Sequence, residues 1–345
     1  MIRGSLHFFF IAAAMTVCVA AQDSEKPSAF SVEQTIAEAK AELDRVEARP
    51  ERPVPREYLA GINEKIVAIE THDPGNVWLS YLYGRAFFLM GQTSEAAGKL
   101  RAFIETREGR NEWRAYRTLG DLFVGEFPNL AESYYKKAAA LNSTESSIYY
   151  GLSLCASRRG AAGDAVRLAR QAVQLGGGKN VAHLSHLARV LAADQQWREA
   201  DRTALSAVER AKALAKEHAG VRASLEQVVS QYDQLIALVQ KEFAATGTDG
   251  GGYLRLAGYV TQRADIARRV AKFDTLGVLE SGVNATKPST PIALLEQYAV
   301  TLAEVGRRDE AIAAFENLLT RDASNATAKE WLIRLNAPVA SKSSQ

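Results

Sequence analysis

Apolar residues recur along this chain as paired helical stripes separated by short polar turns. Between residues 294 and 325, Leu295, Tyr298, Leu302 and Val305 mark one apolar face, and Ala311, Phe315 and Leu318 mark the next. Gly306, Arg307, Arg308 and Asp309 form the turn between them. Ala299 and Ala311 are small residues placed where two helices would cross closely. The same layout recurs upstream. An alanine opens the second helix of each predicted pair at Ala96, Ala131, Ala165 and Ala200, at steps of 35, 34 and 35 residues. Leu119, Gly120 and Tyr135, then Leu152, Ala156 and Ala169, then Leu187, Leu191 and Ala204 keep the same phase.

The flanking segments read as helices too. Ser31 to Arg49 has Ser31 as N-cap, Gln34 at capping-box spacing, and the stripe Val32, Ile36, Ala39, Leu43 and Val46. Prolines 50, 53 and 55 break it, and Arg56 to Thr71 carries Tyr58, Leu59, Ile62, Ile66 and Ile69. From Arg198 to Ala244 the spacing stays helical, which predicts one very long helix or two joined near Gly220. Residues 246–252 read as a flexible, glycine-rich breaker. Tyr253 to Gln262 and Asp265 to Leu279 read as a further helix pair, followed by a loop from Ser281 to Pro291. Ala326 to Leu335, with Trp331 and Leu332 inward, is expected to cover the last exposed face.

Residues 294–325 resemble a tetratricopeptide repeat (TPR), whose pattern runs W-x2-L-G-x2-Y, then A-x3-F, then P. Those places hold Leu295, Tyr298, Ala299, Leu302, Ala311, Phe315 and Ala323. A period near 34 residues built from helix pairs fits this family rather than the longer armadillo or HEAT repeats. Departures exist. The leading Trp position holds Ser80, Tyr116, Tyr149, Leu184 and Leu295, and the second repeat is one residue short between Gly120 and Ala131.

The resemblance implies an all-α superhelix, a TPR-type solenoid of helix hairpins, here with a long central helix. Its expected divisions are a signal peptide (1–21), a lead-in (22–30), an N-terminal array of about four full repeats plus preceding helices (31–217), a long helix with a hinge (218–252), C-terminal TPR-like repeats with a capping helix (253–336) and a polar tail (337–345). In the family, the first helix of each pair lines the concave face. Carried over position by position, that face holds Trp78, Tyr81, Arg85, Arg114, Arg117, Asp121, Tyr150 and Arg189, with Phe88, Leu154 and Ser185 beside them. Arginine pairs with carboxylates and aromatics give rigid contact area, so the set implies a protein or peptide ligand. Alternatively, the aromatics merely pack between helices. With only Asp121 near them, the four arginines would make a positive strip for an acidic or C-terminal segment. The Lys and Asn clamp of some TPR co-chaperones is not kept, because its places hold Tyr81, Arg85, Thr118, Ser147 and Gly151.

Composition narrows the class. Hydrophobic residues at 47% and charged residues at 24% are ordinary for a folded globular chain. A net charge of +2 without a basic run argues against nucleic acid as partner. The first 21 residues read as an export signal: Arg3, the apolar run Leu6 to Val19, and Val19, Ala20 and Ala21 before Gln22. That run is shorter than the ~20 residues of a spanning helix, so a cleaved signal and a periplasmic or extracellular destination are expected. Cleavage removes Cys18 and leaves Cys155 alone, so the mature fold cannot rest on an internal disulfide. Cys155, among Leu152, Leu154 and Ala156, reads as a small buried apolar residue. Asn142, Asn284 and Asn325 head glycosylation sequons at predicted turns, which matter only in a eukaryotic source.

No cofactor, metal or catalytic constellation is expected. His183 and His186 share a helix face but lack a third ligand, so they read as inter-helix or surface histidines. Gly250, Gly251 and Gly252 follow a helix rather than a strand and do not form a phosphate cradle. The sequence thus predicts a non-enzymatic exported scaffold that binds a protein or peptide in its groove. Two alternatives stand beside it. One is a structural self-assembly module of the cell envelope using the long helix. The other is a repeat protein that binds cell-wall or polysaccharide ligands by aromatic stacking.

Overall fold

The computed structural model describes residues 30–47, 54, 56–218, 220–247 and 250–337. Among them the regular structure is entirely helical. In chain order the helices are α1 (Val32–Glu47), α2 (Ala60–His72), α3 (Trp78–Leu89), α4 (Thr93–Ile104), α5 (Trp113–Phe123), α6 (Pro128–Leu141), α7 (Ser146–Arg158) and α8 (Ala162–Leu175). They continue as α9 (Val181–Ala193), α10 (Trp197–Glu217), α11 (Arg222–Thr246), α12 (Gly250–Thr286), α13 (Ile292–Val305), α14 (Arg308–Arg321) and α15 (Ala326–Asn336). Each odd-numbered helix up to α13 packs chiefly on the even-numbered helix that follows it, and successive pairs stack. This is the TPR-type solenoid, with α15 lying against the last pair.

The periodic alanines show how each hairpin closes. Ala96, Ala131, Ala165, Ala200 and Ala311 all lie in the first turn of an even-numbered helix, and all are fully buried. A larger side chain there would hold the two helices apart. Asparagine and proline set the boundaries. Asn180 Oδ1 accepts from the backbone N–H groups of Ala182 and His183 at 2.9 and 3.2 Å, and Pro128 starts α6, where a missing N–H costs nothing. Ser31 caps α1 as expected, accepting from the Gln34 N–H at 3.3 Å.

Glycine is essential at two crossings. A Cβ on Gly120 would sit 2.6 Å from the Tyr135 ring, and one on Gly151 would sit 2.2 Å from it. Tyr135 therefore wedges from α6 between α5 and α7. Its hydroxyl donates to Asp121 Oδ1 at 2.7 Å, which fixes the ring in place.

Three expectations are revised in the C-terminal half, while the run Arg198 to Ala244 takes the second of its two expected forms, two helices joined near Gly220. Gly220, at φ +85°, ends the first and lets the chain turn back into α11. The predicted pair Tyr253 to Gln262 and Asp265 to Leu279 is a single helix, α12, of 37 residues. Its glycines are tolerated because α12 lies antiparallel on α11, tied by Tyr232–Gln262 at 2.5 Å and by the ion pairs Arg255–Glu242, Arg263–Asp233 and Arg222–Asp274. The same helix continues through the predicted loop to Thr286, and only the segment with Pro288 and Pro291 stops it. Gly247, at φ +75°, ends α11, and Gly250–Gly252 start α12 rather than acting as a hinge.

Buried side chains fall into three clusters: α1 to α7, then α7 to α11, and then the end of α12 with α13 to α15. Leu256, Tyr259 and Ile266 of α12 face the second cluster, whereas Leu276 and Val283 belong to the third. The long helix is thus a strut shared by two cores. At the C-terminal end Trp331 stacks on Phe315, with ring centroids 6.1 Å apart, as expected of a covering helix.

The Tyr135 wedge yields a prediction. Gly151→Ala overpacks a crossing whose ring cannot retreat, and should cost about 1–3 kcal/mol in denaturant unfolding. Gly163→Ala, where a Cβ meets open space, should be neutral or stabilising by up to about 1 kcal/mol. Equal losses from both would show that Tyr135 is not a fixed wedge.

Candidate functional site

Odd-numbered helices touch one another along the array, α1 with α3, α3 with α5, α5 with α7 and α9 with α11, so they line its inner side. They bring the eight sequence-derived residues to one side of the array, in two regions that differ in kind. In the first region α1 completes the surface. Its Lys40, Asp44 and Glu47 stand at i, i+4 and i+7, on one side of the helix and pointing over α3 and α5.

Arg85 on α3 is only 1% exposed and is satisfied on all sides. It donates to Asp44 Oδ1 at 2.7 Å, to the Tyr81 hydroxyl at 3.1 Å and to Glu47. Arg117 on α5 binds the same Glu47 and also Asp121 Oδ2, the latter at 3.0 Å. Arg114 reaches Asp44 Oδ2 at 3.2 Å. Three guanidiniums thus meet three carboxylates. The expected positive strip is not present over this region, because α1 neutralises it within the chain. Desolvation by itself would raise the Glu47 carboxyl, yet the Arg117 and Arg85 charges and their hydrogen bonds lower it to about 2. Burial likewise pushes the Tyr81 phenol up to about 12, and Asp121 is raised by burial against the opposing pull of Arg117.

The aromatics of this region are also spoken for. Tyr81 is fully buried and packs on Phe103 at 5.2 Å between centroids. Trp78 carries the Lys40 ammonium 3.9 Å above its ring, and Lys40 is in turn paired with Glu112 at 2.7 Å. Of the eight residues, Trp78, Tyr81, Arg85, Arg114, Arg117 and Asp121 therefore form one internal network. The reading that aromatics merely pack between helices holds for Tyr81. The α1 charges were missed because only the apolar stripe of that helix was read. Their spacing beside that stripe was the available signal.

The second region lies on α7, α9 and α11. Arg189 is exposed and has no carboxylate partner among the described residues. A polar relay holds it from behind. Ser153 Oγ donates to the Ala165 carbonyl at 2.6 Å and so accepts from His186 Nε2–H at 2.8 Å. His186 Nδ1 is left to accept from Arg189 Nη2 at 3.3 Å, an arrangement assigned from the network. Burial, then the Arg189 and His183 charges, pull the His186 imidazole down to about 4, so it stays neutral. Tyr150 on α7 is half-buried, stacked on His183 at 5.0 Å and edge-on to His186 at 5.3 Å. Beyond Arg189 the face continues through Ser185, Gln231, Gln234 and Leu238, with Ser185 and Gln231 hydrogen-bonded across α9 and α11. His183 and His186 are inter-helix residues, and no cluster of three metal-ligating side chains occurs among the described residues.

No protein-family model matches the chain, and no curated protein sequence does either. Among solved structures it is similar to the crystal structure of MamA, at 20% identity over 47% of this chain and 93% of that one, with a TM-score of 0.40. It is also similar to PilW, described as a widely conserved type IV pilus biogenesis factor, at 14% identity over 62% and 89% of the two chains, with a TM-score of 0.45. A third is YrrB, described as a TPR protein with an unusual peptide-binding site, at 13% identity over 56% and 97%, with a TM-score of 0.38. At these values the likenesses carry no functional weight. The TPR-type assignment rests on the hairpins and period of the chain itself.

Both regions have acid-dependent stability. Glu47 falls from its usual 4.5 to about 2, so its contribution is complete above pH 4.5 and is lost as pH falls toward 2. His186 falls from 6.5 to about 4, so the unfolded chain takes up its proton first. That contribution is complete above pH 6.5 and is lost between pH 6.5 and 4. Each is about 3 kcal/mol by the conversion of one pKa step to 1.36 kcal/mol. Urea unfolding from pH 7 to 3 should show the loss, and His186→Gln should flatten the upper part of it. At pH 7, Glu47→Ala takes one carboxylate from each of two buried guanidiniums, which keep only those of Asp44 and Asp121, and should cost about 3–5 kcal/mol. A loss under 1 kcal/mol would mean that the network is a solvated surface pair.

Proposed function

We propose that this chain is an exported, non-enzymatic scaffold that holds a protein or peptide partner on the inner face of its superhelix, over α7, α9 and α11. One observation carries the reading. Arg189 is an inner-face guanidinium without an acid partner among the described residues, and the Ser153–His186 relay fixes it in place. A pre-positioned guanidinium beside an aromatic edge suits a carboxylate followed by an apolar side chain. Tyr150 supplies the edge, and the neutral Gln234, beside the Ser185–Gln231 hydrogen bond, offers an amide donor without repelling an anion. Export is supported by the sequence pattern of residues 1–21, and no described helix is long and apolar enough to cross a membrane.

The same geometry favours a protein or peptide over the carbohydrate alternative. Stacking on a sugar needs accessible ring faces, and Tyr81 is buried while Trp78 carries Lys40 on its ring.

Fluorescence anisotropy against a panel of peptides ending in a free carboxylate, each paired with its amidated form, tests the proposal. The free acids should bind more tightly. Arg189→Ala combined with Tyr150→Ala should weaken binding by about 1–3 kcal/mol while the circular dichroism spectrum is kept. Arg114→Ala, next to Asp44, should not. Equal binding of acid and amide, or a loss centred on Arg114, would move the site elsewhere.

A further inference from the structure

The longest helix carries a face that none of the described residues covers. The side of α12 turned away from α11 presents Leu254, Ala257, Thr261, Ala271, Thr275 and Val278, all exposed, and with Ala264 and Arg268 between them the steps alternate between three and four residues. Leu254 is 76% exposed and Val278 is 73% exposed, unusual values for large apolar residues on a well-formed helix. The face runs about 36 Å at 1.5 Å per residue. Within it, the charged residues Asp265 and Arg268 pair with each other on the same helix, so no other element uses them.

These residues are arranged symmetrically about the middle of the face. If a second α12 is laid antiparallel with the twofold axis level with Ile266, Leu254 meets Val278 of the other copy. Ala257 then meets Thr275, and Thr261 meets Ala271. Asp265 falls beside Arg268 of the other copy, twice. Large apolar residues pack at both ends, small residues allow close approach between, and opposite charges meet at the centre. A parallel arrangement would instead set Arg268 against Arg268 and Asp265 against Asp265. Self-complementarity about a twofold axis is what an isologous interface requires, and alternating three- and four-residue spacing is what a two-helix seam requires. We propose that the exposed face of α12 is the docking surface for a second copy of this chain, in an antiparallel twofold dimer. The surface lies on an even-numbered helix, so dimer formation leaves the inner face of each copy open.

Light scattering coupled to size exclusion on the full chain, over a dilution series, should give twice the monomer mass, falling to one at low concentration. Leu254→Glu with Val278→Glu should give a monomer at all concentrations with unchanged helicity. Asp265→Arg alone and Arg268→Asp alone should each raise the dimer dissociation constant at least about tenfold, since each sets like charges together. Mixing these two variants should restore a dimer, because one copy then offers two cations and the other two anions. A monomer at every concentration, a dimer indifferent to the α12 substitutions, or a mixture that fails to re-associate would each overturn the proposal.

Discussion

Everything in this molecule depends on how closely the two helices of a hairpin can approach. No single hairpin buries its apolar face alone, so the array exists only if each pair closes and then stacks. Closure is set by a buried alanine in the first turn of the second helix, and stacking by residues such as Tyr135 that wedge into glycine-lined gaps on both neighbours. The inner face inherits its order from these contacts. Asp121 is held by Tyr135, Arg117 by Asp121, and Glu47 by Arg117 and Arg85. A polar network at the inner surface is thus tied back to the packing that forms the solenoid.

That coupling explains why the first and second halves of the inner face behave differently. Near the start, α1 places two carboxylates over three guanidiniums, and the charges are spent on holding the first repeats together. Buried pairs of this kind cost desolvation, which their mutual attraction and hydrogen bonds must offset. Farther along, α9 presents Arg189 with a neutral histidine behind it and no acid in front of it among the described residues. One face thereby contains both a closed, structural section and an open one.

Much of the fold was legible in the sequence because the period recurs at positions where packing permits few residue types. Ala96, Ala131, Ala165, Ala200 and Ala311 are all buried as the spacing required, and α13 and α14 lie where Leu295 to Leu318 placed them. Helix ends were legible where a cap or a break is chemical, as at Ser31 and Gly220. They were not at Gly250–Gly252, because glycine marks a break only when no neighbour stabilises the helix, and α11 does so here. The candidate site was legible by position and not by state. The repeat pattern put eight residues on the inner face, yet whether an arginine there is free depends on which residues of another helix reach it. Asp44 and Glu47 lie 41 and 38 residues from Arg85, and local patterning carries no such pairing.

The central claim is that the chain itself occupies the first half of its inner face and leaves Arg189 available. Arginine-selective dicarbonyl labelling of the folded chain, read residue by residue by mass spectrometry, tests it most directly. Arg189 should be modified at a rate close to that of exposed arginines such as Arg167. Arg85 and Arg117 should stay protected until the chain is unfolded or Glu47 is replaced. Labelling of Arg85 and Arg117 as fast as Arg189 in the folded chain would contradict the account, because it would mean that α1 does not close over them.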